Sequence, residues 1–483
     1  MRRWISLLSS VLSLLTAHLA LGAQTTGGVN WLDPLAYQKP AFVSITEPDN
    51  PVATYYIDGT SGSGSTCSSG SPCKFFSDLC GKTGMTGGPV YVYIKGTIDT
   101  GGGNFFYNYT NCYGSPGSEI LVRPWPGFTA TIAGTGNNVM GGDSPSQTHD
   151  WIFDGGPSLG ITIKTQNDNT KVGIRVNANN FTFYRVQGTC SNNAGGDIIV
   201  TTAAGVTNLK IINSEFYDCV DGTAGDQQGA VYLGSCVCNG TCGYSNFTFR
   251  NNIVRNFGGE GIELNPRVAS SGAIISGSAF RHTGFQTCSG TWGCRPSILV
   301  DGPSCGGKSS GVVITNNLMW DTGSGCVWDK SGGNPAPLIY NNTCFDYGKG
   351  SGGNQPAGIN NGNAGAPVAT VTDNIIYAPN GTDPLSGPYS TASYNLCASG
   401  KSCGTTSATW SANTFQTTDQ NTSNFLKITS NSEAKGAGVA ISGLAIDYAG
   451  NARTQATWDI GAYVFGSSSS SLPPPSNLRL ISQ

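Results

Sequence analysis

Short alternating apolar runs recur in seven similar phrases along the middle of the chain, at 179–188, 207–218, 245–256, 271–282, 310–321, 336–346 and 368–378. Each phrase is an apolar run, a small polar residue (most often Asn) and a second short apolar run. Placing Phe181, Leu209, Phe247, Ala273, Val312, Pro337 and Ala369 in one column gives steps of 28, 38, 26, 39, 25 and 32 residues. Unequal steps argue against a tight helical repeat. Stacked coils of strand tolerate them, because insertions leave as loops. The local period is two, β-branched and aromatic residues fill the runs, and Gly and Asn punctuate them, so the runs predict strands.

Asn251–Asn252, Asn316–Asn317 and Asn341–Asn342 hold the same place in their phrases, with Asn213 and Asp373–Asn374 there too. Asn enters the left-handed backbone region that a sharp bend demands, and stacked Asn side chains can bond from coil to coil. The pairs therefore predict a structural ladder rather than a ligand site. A further strand follows each bend, at 197–200, 229–233, 261–265, 297–301, 325–329 and 357–361. The expectation is two strands per coil. Aligned on a small first residue, the second and fourth positions of these later strands turn inward and the third and fifth outward. The fifth column then reads Leu233, Asn265, Asp301, Asp329 and Asn361, with Glu263 in the neighbouring column.

Coils of strand joined by Gly-rich turns resemble the pectate-lyase-like superfamily. The resemblance implies an all-β fold, a single-stranded right-handed parallel β-helix (β-solenoid) with an N-terminal cap. It covers most of the chain and specifies fold more sharply than activity. The stretch 447–453 and the run Trp458–Val464 resemble the closing motif of bacterial β-helix proteins, with Val464 where Glu is usual. The opening strand at 54–58, the Cys-closed loop, a short helix within 74–84 and the strand at 89–97 resemble the first coil of secreted β-helix proteins.

Composition agrees with this picture. There are 69 Gly in 483 residues and only 11% charged residues, as turns and polar outward faces require. A net charge of −3 argues against a nucleic-acid partner. Residues 1–23 carry a basic start, an apolar stretch and small residues, the pattern of a signal peptide, and no later stretch is long enough to span a membrane. A secreted, monomeric protein is expected. Its 16 Cys then predict disulfides, with Cys67–Cys73, Cys80–Cys112, Cys288–Cys294 and Cys397–Cys403 as local pairs. The run Cys236–Cys242 lacks the ligand spacing of a zinc site. Organisation is read as a leader, cap and first coils at 24–118, the β-helix at 119–380, irregular coils with the closing motif at 381–466, and a Ser/Pro-rich linker or tail at 467–483.

Candidate chemistry lies on the outward columns. Asp301 and Asp329 on adjacent rungs suit Ca²⁺, an acid/base pair for glycoside hydrolysis, or a solvated polar surface. Asp218, Asp221 and Asp226 form a second acidic patch with the composition, but not the pattern, of a Ca²⁺ loop. The resemblance implies a polysaccharide partner, lyase chemistry with Lys or Arg as base, and Ca²⁺ as the cofactor to consider. Lys330 is the first choice for the base and Arg267 the second. Tyr217 and Trp320 are candidates for stacking on sugar rings, Asn265 and Asn361 for polar contacts. Glu263, Asp301 and Asp329 would serve a glycoside hydrolase instead, and a non-catalytic glycan-binding or surface protein is the third reading. The paired Asp and His-Gly motifs of polygalacturonases are absent, and so is the Lys-then-Arg pattern of the alginate-lyase and chondroitinase-B type.

Overall fold

The computed structural model describes residues 40–466, except 100–105, 108–109, 135–138, 142–147, 166–171, 191–195, 203–204, 220–228, 235–240, 286–294, 303–306, 351–356, 363–367 and 455–456, together with short strands at 25–26 and 29–30. The proposed signal peptide, the pair Cys288–Cys294, Cys236 and Cys238, and the tail beyond 466 lie outside the described residues.

Each phrase builds two strands, not one. Strands such as Thr248–Arg250, Val313–Thr315 and Leu338–Tyr340 stack in parallel as sheet 1. After the bend, Ile253–Phe257, Leu318–Trp320 and Thr343–Phe345 stack as sheet 2. These two faces belong to one ladder of 23 strands, because Val90–Asp99 is long enough to serve both. A third sheet of ten parallel strands includes Asp197–Thr201, Val231–Leu233, Ile262–Leu264, Ile298–Val300, Val327–Asp329 and Ile359–Asn361. A coil thus has three strands where the sequence suggests two. A one-residue bend between runs of three to five residues leaves little trace in the hydrophobic pattern. The fold is a parallel β-helix, with a smaller four-stranded parallel sheet beside it.

The Asn pairs divide their labour. The first residues, Asn213, Asn251, Asn316, Asn341 and Asp373, sit at φ between 52° and 59°, which is the bend itself. The second residues, Asn252, Asn317, Asn342 and Asn374, are fully buried. Asn317 Nδ2 donates to Asn342 Oδ1 at 3.0 Å, Asn342 Nδ2 to Asn374 Oδ1 at 3.0 Å, and Asn374 Nδ2 to Asn395 Oδ1 at 3.1 Å. Each rung thereby satisfies buried amides of the next.

Inside the coils, Phe181, Phe247, Ala273, Val312 and Ala369 are fully buried, so the column aligned from the phrases is a true core column. The helix expected within 74–84 is one 3-10 turn, Phe76–Leu79. Its Phe76 packs on Trp151 and Phe153, with ring centroids 6.3 and 5.9 Å apart. Disulfides Cys67–Cys73, Cys80–Cys112 and Cys397–Cys403 form as expected; Cys190–Cys219 and Cys326–Cys344 add cross-links between strands. Cys242 is also disulfide-bonded. Among the described residues no helix is long and apolar enough to cross a membrane.

Segments near Val43 and after Trp410 lie along the outside. Val43 bonds Asn213 through its N–H and its carbonyl. The described residues of 410–454 and 457–465 lie over sheet 2, where Phe415, Phe425, Ile460 and Tyr463 form a second apolar cluster with Leu318, Trp320, Phe345 and Ile375. The closing motif therefore folds back along the helix. Its buried Arg453 donates to the carbonyls of Asp459 and Gly461 and to Asn316 Oδ1.

Candidate functional site on the third sheet

The register of sheet 3 decides which side chains meet. Leu233, Leu264, Val300, Asp329 and Asn361 pair across successive strands. Leu233, Leu264 and Val300 belong to the core, so Asp329 and Asn361 point the same way, and both are buried. The column expected from the sequence therefore splits. Its Asn265 and Asp301 belong to the next, outward position, and the residue beside them on the following rung is Lys330, as the bonds from Asn265, Asp301 and Lys330 N–H to Leu233, Leu264 and Val300 carbonyls establish. The physical reason is the pair of small residues opening several strands. Val231, Ile262, Ile298, Val327 and Ile359 pair across the rungs, so the residues that align at the strand openings are Ala230, Gly261, Ser297, Cys326 and Gly358, not Gly229, Gly325 or Ala357. A slip of one residue exchanges faces.

Asp301 and Asp329 thus do not form a carboxylate pair. Asp329 Oδ1 accepts the Ser331 N–H at 2.8 Å inside the coil. Asn361 Nδ2 donates to the Pro388 carbonyl at 2.6 Å, which withdraws it from the outer face. Trp320 is 2% exposed, edge-on to Phe425 at 5.3 Å, with its Nε1 donating to Gln420 Oε1; a sugar ring has no access to it. Tyr217 lies on sheet 2 under the Arg255 guanidinium, 4.8 Å from the ring centroid, away from sheet 3.

What the register does assemble is a charged outer face. Tyr232, Glu263, Leu299 and Trp328 form one outward column, and Asn265, Asp301 and Lys330 the next. Asn265 links them: its Nδ2 donates to Glu263 Oε1 at 2.8 Å and to Tyr232 Oη at 3.2 Å, while its Oδ1 accepts from Arg267 Nη1 at 2.7 Å. Arg295 and Glu260, from the segments that lead into these strands, form a buried ion pair at 3.0 Å. Asp197, earlier in the same sheet, accepts the Gly229 N–H at 2.8 Å. A Cβ at Gly229 would lie 3.1 Å from Asp197 Oδ1, a tight contact.

The titrating groups are tuned against one another. Burial lowers the Lys330 ammonium from its ordinary value, Asp301 opposing and Arg295 adding to the effect. Burial, then the charge of Glu260, raises the Glu263 carboxyl well above its usual range. Asp197 is raised well above its range by burial, with Glu260 adding to it. Burial works against the Arg295 cation, but the carboxylates of Glu260, Glu263 and Asp301 outweigh it and raise its pKa. A lysine whose ammonium burial disfavours, a carboxyl that burial raises and a cation held by its ion pair share one face.

Glu260, Arg295, Asp197 and Trp328 are the residues that sequence reasoning missed. Glu260 stands in the run Gly258–Gly261 and Arg295 three residues before the strand Ile298–Val300. Their signal is charge at the entry of a sheet-3 strand.

Comparison with solved structures gives a pectate lyase, Pel9A, at a TM-score of 0.55 and 15% identity, covering 86% of this chain and 97% of that one. The chain has the parallel β-helix fold of a pectate lyase. An alginate lyase from Paenibacillus aligns at 0.46 and 14% identity, covering 70% of this chain and 98% of that one, and a rhamnogalacturonan lyase at 0.46 and 15%, covering 76% and 91%. No protein-family model matches the sequence, and no curated protein does. At these identities the likeness carries the fold and no residue roles.

The residues expected to hold Ca²⁺ do not gather. Asp301 and Asp329 face opposite sides of sheet 3. Asp218 accepts from Asn256 Nδ2 at a bend of sheet 2, with φ 57°, and Asp221 and Asp226 lie outside the described residues. Among the described residues no three His, Cys, Asp or Glu side chains come together as a metal ion requires.

Proposed function

We propose that the chain is a secreted carbohydrate-active protein, a polysaccharide lyase that cleaves a uronate-containing glycan by β-elimination. The observation that carries this reading is Lys330, whose ammonium is destabilised by burial on an outward β face that also holds Arg295 and Asp301. Elimination needs a base for the C5 proton of a uronate and a cation that tempers the negative charge building on its carboxylate. Lys330 in its neutral form is the base. Arg295, fixed by Glu260, and Arg267, held on Asn265, are the cations in reach of this face. The C5–H electrons form the C4–C5 double bond as the bond from C4 to the glycosidic oxygen breaks. One proton leaves C5 and one is taken up at the departing oxygen, so no water is consumed. Support for secretion comes from the disulfides and the signal-like N-terminus.

A second reading has its own observation. Burial raises the Glu263 carboxyl well above its usual range and a second carboxyl, Asp301, stands on the same outward face, and two carboxyls in unlike settings are the equipment of a glycoside hydrolase. Incubation with a panel of uronate polymers separates the two. The lyase reading expects ultraviolet absorbance of an unsaturated uronate to rise with each new reducing end. Reducing ends without that absorbance would overturn it in favour of hydrolysis. Retention on a glycan column with neither signal would favour a binding protein.

A further inference from the structure

Trp328 and Lys330 are two residues apart on one strand edge and project from the same side of sheet 3. The Lys330 Nζ lies 3.4 Å from the centroid of the Trp328 ring. The indole N–H is buried and has no acceptor among the described residues, so no hydrogen bond accounts for the ring's position. On the next rung stands Gly362, where a Cβ would come within 2.9 Å of Trp328 Nε1 and 3.2 Å of Lys330 Cγ. The space around this pair is kept by the absence of a side chain.

The charged groups acting on Lys330 are Asp301, Glu263 and Glu260, which favour its ammonium, and Arg295, which disfavours it. None of them makes a salt bridge to its Nζ among the described residues. The aromatic face is the partner in direct contact.

We infer that Trp328 is a positioning residue for the base: its indole face receives the ammonium that forms when Lys330 takes the C5 proton. This rests on the lyase reading and deepens it. Proton transfer from a C–H bond to a neutral amine creates a cation at Nζ. The face of an indole stabilises a cation by its quadrupole, by about 0.5–2 kcal/mol. That stabilisation is larger in the transition state than in the ground state, where the amine is neutral, so it accelerates the step rather than merely tightening binding. The proton then passes from Nζ to solvent and the base is regenerated.

The test compares Trp328→Leu, which keeps an apolar side chain without a π face, with Trp328→Phe, which keeps a smaller one. Two readouts are taken. One is the pH profile of uronate-polymer cleavage. The other is the rate of Lys330 modification by an amine-reactive reagent across pH in the substrate-free protein, mapped by peptide mass spectrometry. Loss of the π face removes support for the ammonium. The labelling midpoint and the rising limb of the cleavage profile should both move to lower pH in Trp328→Leu. The plateau rate should fall about 2- to 30-fold, with Trp328→Phe between it and the native protein. Identical behaviour of the Leu and Phe proteins, or an unmoved labelling midpoint, overturns the inference. A moved midpoint with no cleavage of any polymer would keep the indole contact and reject the lyase reading beneath it.

Discussion

The outer faces of sheets 2 and 3 belong to the same coils but have opposite fates. On sheet 2, Leu318, Trp320, Phe345 and Ile375 point outward and would be wet, but the described residues of 410–454 and 457–465 fold back over them with Phe415, Phe425, Ile460 and Tyr463. On sheet 3, the outward columns carry Tyr232, Glu263 and Trp328, then Asn265, Asp301 and Lys330. Outward apolar residues in a β-helix call for a cover. Outward charges that remain partly buried and mutually tuned call for a ligand. The first arrangement contributes stability through area removed from water, whereas the second holds desolvated charges at a cost in stability.

Four substitutions sharpen or break this contrast. The largest effect is expected from Lys330→Ala, with cleavage falling about 100- to 10,000-fold. Its melting temperature should hold or rise. The folded pKa of Lys330 is lowered, so below that value the folded protein carries a disfavoured cation that the substitution removes. A drop in melting temperature with unchanged cleavage would make sheet 3 as structural as sheet 2. Next, Trp320→Ala should cost about 3–5 kcal/mol by denaturant titration, because it opens the seal against Phe425, and leave activity per folded molecule intact. Third, Asn342→Ala should cost about 2 kcal/mol by the same measurement, since the Ile314 carbonyl and the Asn317 side chain lose their partner on that rung.

The smallest effect is pH-dependent. Burial, opposed by the Val439 N–H and Arg453, pushes the Asp373 carboxyl up to about 7. A folded pKa above the unfolded one means full stability below about pH 4 and a loss as pH rises toward 7, constant beyond it. Asn already fills this bend position at Asn316 and Asn341 with the same positive φ. Asp373→Asn should therefore raise stability by about 1 kcal/mol at pH 8 and change nothing at pH 4. Equal shifts at both pH values would place the effect in packing rather than charge.

Much of the scaffold was legible because its signals are local and repeated. The phrase column from Phe181 to Ala369 is the core column, and the Asn pairs are both bend and ladder. The site was harder to read. Register in sheet 3 is set by Val231, Ile262, Ile298, Val327 and Ile359, which pair across the rungs, whereas aligning each strand on its first small residue places Ile262 and Ile298 opposite Cys326 instead of Val327. That single slip put Asp329 on the wrong face. Lys330 was picked out as a neighbour of Asp329, yet it reaches the outer face through the register it shares with Asp301. Trp320 read as an exposed aromatic because its cover lies 100 residues away in sequence, at Gln420. Glu260 and Arg295 carry no periodic signature, since they precede the strands that carry the pattern.

The segments that run along the outside bear on how the molecule comes apart. Leader residues Val43 and Ala41 bond Asn213 and Asn251, the C-terminal segment bonds Asn316, Asn341 and Asp373, and the two segments meet where Ala41 N–H donates to the Tyr448 carbonyl at 3.1 Å. The handover falls at Gly277, a bend without an Asn side chain to cap. Stacked-repeat proteins ordinarily fray coil by coil from either end. Here the segments at 41–43, 439–454 and 457–461 are laced to interior rungs, so coils near either end of the described helix cannot peel away without first unfastening the middle. Hydrogen exchange should accordingly report one cooperative unit across these rungs, rather than a gradient of protection falling toward the ends.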